Sequence, residues 1–238
     1  MPSVLGNLRW WIAHLLVVCL AVAFGTLGFW QLGRWQERKL ENLVFTARLT
    51  AEPEPLEQLL AAVGSDTASL EFSRATVRGE FQPASEVLVR SQVNEGVAGF
   101  HVITPLVLPT GEAVMVNRGW VPLEMDSVPS LATAPEGEVE VSGWLRLSEE
   151  RATPGGTPDE SRTVTRVDVA GLAPGLPWRL VPLYLVQERG DGTMPVLIPE
   201  PALDDEGPHL AYAIQWFAFA AIGVVGYVFL LRRAIKGR

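Results

Sequence analysis

Two short stretches hold most of the side chains that could do chemistry. One is His209-Leu210-Ala211-Tyr212-Ala213-Ile214-Gln215-Trp216. In a helix, His209 and Trp216 lie two turns apart on one face, with Tyr212 close by. A neutral imidazole is a common ligand for metals and for haem iron. The plainer alternative is a boundary histidine that caps the helix or reaches to water. The other stretch is Gly28-Phe29-Trp30-Gln31-Leu32-Gly33-Arg34-Trp35-Gln36-Glu37-Arg38-Lys39. Trp30 and Trp35 suit a membrane interface, and Arg34 and Arg38 share a face if the helix continues. Two readings stand here too: an interfacial anchor, or a docking site for an anionic group beside a bilayer.

The remaining candidates are weaker. The chain has three histidines. His14 reads as a membrane-boundary residue, and His101, in an expected strand, as a satisfied domain histidine. Arg118, in Val116-Asn117-Arg118-Gly119-Trp120-Val121-Pro122, reads as a structural ion-pair residue. Cys19 is the single cysteine, so there is no internal disulfide, no CxxC and no Cys/His zinc spacing. No GxSxG, HExxH or P-loop occurs, and the acidic residues are not clustered into a recognisable carboxylate pair.

The elements that must position these residues follow from hydropathy and charge. Of 238 residues, 48% are hydrophobic, and the mean hydropathy is +0.20. Residues 10–33 and 210–231 carry no charge, and each is long enough to cross a bilayer core of about 30 Å. A cleaved signal peptide is the rival reading of the first segment, with Arg9 before it and Ala21-Val22-Ala23 as a small-x-small site. The apolar run, however, continues through Phe24, Leu27, Phe29, Trp30 and Leu32, which favours a retained helix. Arg232, Arg233, Lys236 and Arg238 follow the second segment without an acid, which puts that end in the cytoplasm, or on the matrix side in a mitochondrion. The two spans then return the N-terminus to the same side. All 27 acidic residues lie between the spans. So acidic a domain argues against nucleic acid as a partner. The expected order is a cytoplasmic N-terminus (1–9), a membrane helix (10–33), an extracytoplasmic domain (34–209), a second membrane helix (210–231) and a basic tail (232–238).

Within the domain, Pro55 and Gly64 bracket a short helix over 56–63. Runs rich in Val, Leu and Thr predict strands at 73–81, 87–92, 100–108, 113–121, 139–147, 162–169, 180–187 and 195–198. Pro109-Thr110-Gly111-Glu112 is an expected hairpin turn, and 149–160 a flexible loop. The fold class is therefore a membrane protein with two transmembrane α-helices flanking a β-rich (α+β) extracytoplasmic domain, whose sheet is closed or sandwiched to protect its edges. In this topology the Arg34 end of one helix and the His209 end of the other share the outer membrane surface. A flat amphipathic ligand such as haem fits that set: imidazole to iron, rings on the macrocycle, arginines to propionates.

Several motifs, in order, resemble the Surf-one (surfeit locus) family of cytochrome c oxidase assembly proteins. They are Gly28-Phe29-Trp30-Gln31-Leu32-Gly33-Arg34, Arg74-Ala75-Thr76-Val77-Arg78-Gly79-Glu80-Phe81, Gly99-Phe100-His101-Val102-Ile103-Thr104-Pro105-Leu106, the Arg118 motif and the His209 motif. The resemblance runs from about Gly28 to Arg233. It implies a non-enzymatic factor that binds haem a and helps place it in the catalytic subunit of a haem-copper oxidase. It also implies haem a synthase as a further partner and a bacterial cell membrane as the location. The family's implicated histidine falls on His209, as axial ligand to the haem iron, and its following tryptophan on Trp216. Helix geometry adds Trp30 against the macrocycle and Arg34 to a propionate. Pro208 departs from the family, which often has Asn there, so altered ligand geometry is expected beside His209. Residues 149–168 match only loosely. The rival function is a haem-independent chaperone or scaffold for oxidase subunits; a haem-modifying enzyme is a distant third.

Overall fold

A computed structural model describes residues 8–130, 132–150, 158, 162–190, 194–203 and 207–236. The chain divides into two compact units, Met1–Phe45 with Leu203–Arg238, and Thr46–Ala202. Most of the expected loop at 149–160, part of the N-terminal segment and Arg238 lie outside the described residues.

The first unit is a helix pair. Helix α1 spans Leu8–Thr50, 43 residues, and α4 spans His209–Lys236, 28 residues. Both are long and apolar enough to cross a membrane. Their outward faces carry Trp11, Leu15, Val22, Phe29, Ile214, Ile222 and Phe229, all exposed; such faces suit acyl chains rather than water. The expected end of the first helix at Gly33 marks a change of solvent rather than of structure. The helix continues because Gln, Glu, Arg, Lys and Leu after Gly33 are good helix formers. Arg34–Glu37 and Arg38–Glu41 bridge successive turns at 2.7 and 3.3 Å. Pro53 disfavours helix at the residue before it and sets the limit. At about 1.5 Å per residue α1 is roughly 65 Å long, twice the bilayer core.

The second unit is a β-barrel. Its strands are β1 Glu54–Pro55, β2 Arg74–Phe81, β3 Val87–Asn94, β4 Val97–Val107, β5 Ala113–Pro122, β6 Glu138–Leu147, β7 Thr163–Val164 and β8 Leu180–Gln187. The order β2-β6-β8-β5-β4 closes because β2 also pairs with β4, through Glu80↔Val107 and Phe81↔Leu106. Closure removes most of the exposed edge. The short helix α2, Leu56–Val63, packs on the interior cluster that Val77, Leu106, Val116, Leu145 and Leu185 build. Alternation along each strand sends the neighbouring residues, Arg146, Tyr184, Asn117 and His101, to the other face.

Two expected strands shrink. The run at 162–169 keeps only β7. Asp168 then caps helix α3, Val169–Leu172, its Oδ1 accepting from the Gly171 N–H at 3.0 Å. The run at 195–198 is reduced to one bridge, Val196↔Trp120, because Pro195, Pro199 and Pro201 lack ladder donors. Arg118 fills the structural role expected of it. It is buried, 3.4 Å from Glu86, and donates to the carbonyls of Ala132 and Thr133.

Candidate haem-ligand site on the helix pair

The seam between α1 and α4 follows from residue spacing. His14, Val17, Ala21, Phe24, Gly28 and Gln31 recur at alternating intervals of three and four on α1. His209, Ala213, Trp216, Ala220, Val224 and Tyr227 follow one another on α4 at intervals of three or four. That is the spacing of a left-handed helix seam. Gly28 lets the second helix come close: a Cβ there would lie 2.6 Å from the Phe217 ring. Below it, Phe24 stacks on Trp216, with centroids 5.5 Å apart.

A histidine closes each end of the seam. At one end His14 Nδ1 lies 2.6 Å from the Tyr227 hydroxyl, with Trp10 and Trp11 flanking the ring. At the other, His209 Nδ1 lies 2.8 Å from Gln31 Oε1. An amide oxygen only accepts, so the imidazole donates from Nδ1 and keeps the lone pair on Nε2. Nε2 has no hydrogen-bond partner among the described residues. Gly207, at φ +69°, turns the chain into α4. A Cβ added there would sit 3.2 Å from the His209 ring at Cδ2 and 3.4 Å from Nε2, so a side chain at this position would crowd the imidazole. Pro208 is accommodated. It accepts from the Tyr212 N–H at 3.0 Å, and its missing N–H falls where a helix start leaves N–H groups without intrahelical partners.

The other expected site residues are dispersed. Trp216 shares the seam with His209 but lies two turns further along, against Phe24. Arg34, one turn beyond Gln31, bonds Glu37 at 2.7 Å with its side chain 45% exposed. Trp30 is 58% exposed and off the seam, and its ring meets no other ring among the described residues. Gln31 escaped notice as a functional residue in the sequence. Its signal was present: a polar side chain inside an uncharged apolar run, one turn after a seam glycine.

The SURF1 family model matches residues 18–221. The chain belongs to the SURF1 family. It is 30% identical to an uncharacterized SURF1-like protein of Mycobacterium tuberculosis, over 96% of this chain and 86% of that one. Identity is 32% to a SURF1-like protein of Monosiga brevicollis, over 96% and 89%. It is 34% to Surfeit locus protein 1 of Takifugu rubripes, over 60% and 63%. The SURF1 family is known for cytochrome oxidase assembly factors, and the motifs around Gly28 and His209 fall within the matched span. In this SURF1 chain the helix pair carries an imidazole held at Nδ1 by the Gln31 amide oxygen.

Proposed function

We propose that this protein binds haem a through His209 and assists its insertion into the catalytic subunit of a haem-copper cytochrome c oxidase. The observation that carries this reading is the Gln31 Oε1 contact, which leaves His209 Nε2 as a lone-pair donor. Metal-ligating histidines nearly always give their other N–H to an acceptor in this manner. When bound, the haem contributes its iron as the Lewis acid that takes the Nε2 lone pair. Gln31 fixes the ring's tautomer and angle. Arg34 has a half-exposed guanidinium whose pairing with Glu37 is a surface contact of small energy, so it can exchange that carboxylate for a propionate. Trp216 and Phe24 supply an apolar aromatic wall in the seam. The outward placement of Trp30 favours an interfacial anchor over contact with the macrocycle.

The protein acts as a carrier rather than an enzyme. Its partners are the oxidase catalytic subunit and haem a synthase, as the source of the cargo. It sits in a bacterial cell membrane with both termini cytoplasmic and the barrel outside, since Arg233 and Lys236 close the last turn of α4. The test is the reduced-minus-oxidised spectrum of the protein purified from cells that make haem a, beside His209→Ala. Haem a in the wild type, lost or spectrally shifted in the variant, supports the reading. Unchanged haem in both moves the ligand elsewhere. Absence of haem from both favours a haem-independent chaperone for oxidase subunits.

A further inference from the structure

The outer face of the barrel carries a polar row where a covered sheet would ordinarily be apolar. Neighbouring strands set it in register. Arg146 of β6 pairs with Tyr184 of β8, and Asn117 of β5 pairs with Val186, two residues along β8. His101 of β4 lies beyond, paired with Val89 of β3. Segments around Arg166 and Pro199 complete the walls of a cavity of about 340 Å³. That volume is in the range of small-molecule sites. Polar groups under a cover cost stability unless they have partners, so a row of them invites a functional reading.

The hydrogen-bonding sense of the row is determined. Asn117 Oδ1 accepts from the Gly119 N–H at 3.2 Å, which fixes the amide. Its Nδ2 therefore donates to His101 Nδ1 at 3.3 Å. Burial lowers the His101 pKa to about 4, so at neutral pH the ring is uncharged and its one proton is on Nε2, a donor. Arg146 faces Glu71 through Nε at 3.4 Å and lies over the Phe72 ring. Its two Nη groups have no acceptor among the described residues. Tyr184 donates its hydroxyl to Glu149 at 3.3 Å, and burial pushes its pKa up, so it stays protonated. Arg166 lies 3.9 Å from Asp168. Two guanidiniums and one carboxylate line the space, with Trp144 and Val186 as apolar wall.

We propose that this cavity is a binding site for a small organic monocarboxylate. The planar Nη pair of Arg146 receives its two oxygens, His101 Nε2–H adds a donor, and Trp144 and Val186 receive its apolar body. A guanidinium edge matches a carboxylate in plane. The nearby Glu149, Glu71 and Asp168 disfavour a dianion such as phosphate. The site is separate from His209 and does not depend on haem binding.

The experiment uses the full chain in detergent, with benzoate as probe and benzamide as its uncharged counterpart. The readout is the His101 ring resonance, assigned by its loss in His101→Gln. Benzoate should shift it saturably and benzamide should not. Arg146→Gln should weaken the benzoate response roughly tenfold or more, as expected for loss of a charged hydrogen-bonding partner. Arg146→Lys, which keeps the charge without the planar pair, should fall between. Absence of a saturable shift in the wild type overturns the proposal. So does an equal response to benzamide, or an unchanged response in a folded Arg146→Gln. If Arg146→Gln does not fold, the benzoate–benzamide contrast in the wild type decides alone.

Discussion

His209 on the helix pair and His101 on the barrel are each held through Nδ1 by a side-chain amide, yet opposite atoms of the amide do the holding. Gln31 presents oxygen to His209 at 2.8 Å. Asn117 presents nitrogen to His101 at 3.3 Å, because the Gly119 N–H has already taken its oxygen. The first contact leaves a lone pair on Nε2, the second a proton. One ring is thereby left with an atom that accepts and the other with an atom that donates. The difference teaches that a histidine's chemistry is set by the polarity of the atom behind it. Neither the histidine nor its motif carries that information alone.

The comparison can be broken first at the barrel, where the largest effect is expected. Burial holds His101 down to about 4, against 6.5 for an ordinary histidine. Below 6.5 the unfolded imidazole takes up a proton that the folded one refuses. The unfolded state then binds more protons, and stability is lost as the pH falls. At pH 4 the loss from this one group is about 3 kcal/mol. Denaturant unfolding of the full chain in detergent, at pH 7 and pH 4, should show a smaller acid loss in His101→Gln by about that amount. An identical acid loss in both proteins would mean that the imidazole protonates without penalty, and that Nδ1 is not held as the acceptor of the Asn117 amide.

A somewhat smaller effect is expected at Gln31. Gln31→Leu removes the acceptor and frees the His209 ring to turn or change tautomer. Haem affinity should fall roughly 10–100-fold, the range seen when the hydrogen-bond acceptor behind a metal-ligating histidine is removed, and the haem absorption bands should shift. Gln31→Glu keeps an acceptor oxygen and should retain haem. Equal affinity and spectrum in wild type and Gln31→Leu would show that the amide only ties the helices together.

How much of this was legible in the sequence varies with the kind of signal. Strand β8 and helix α2 were predicted with their observed ends, since uniform apolar runs bounded by proline and glycine leave few alternatives. Hydropathy set the end of the first span at Gly33 but left open whether the helix continues, because it reports where the solvent changes; the Arg34–Glu37 and Arg38–Glu41 bridges accompany the continuation of α1 to Thr50. The strand expected at 162–169 stops after Val164, and at Asp168 a cap bond starts a helix instead. At the site, His209 was readable as a boundary imidazole with a family precedent. Gln31 was not, because its role depends on another helix 178 positions away in the chain. The polar row on the barrel was hidden for the same reason: four strands contribute one or two residues each, and only their register brings them together.

The smallest effect sharpens the comparison within the helix pair itself. Trp216, through the family resemblance, and Trp30, through helix geometry, were both candidates for packing on a macrocycle. The seam separates them. Trp216 stacks on Phe24 across it, whereas Trp30 is 58% exposed and off it. Trp30→Leu should therefore change haem affinity by no more than about 0.5 kcal/mol, as for a surface substitution away from the site. Trp216→Leu should loosen the aromatic wall and change affinity or spectrum by more. Titrating haem a into both variants in detergent, alongside the wild type, ranks them. If Trp30→Leu costs more than Trp216→Leu, the haem lies outside the seam, on the lipid-facing side of α1. His209 would then have to approach the iron from the flank of the pair rather than from between its helices.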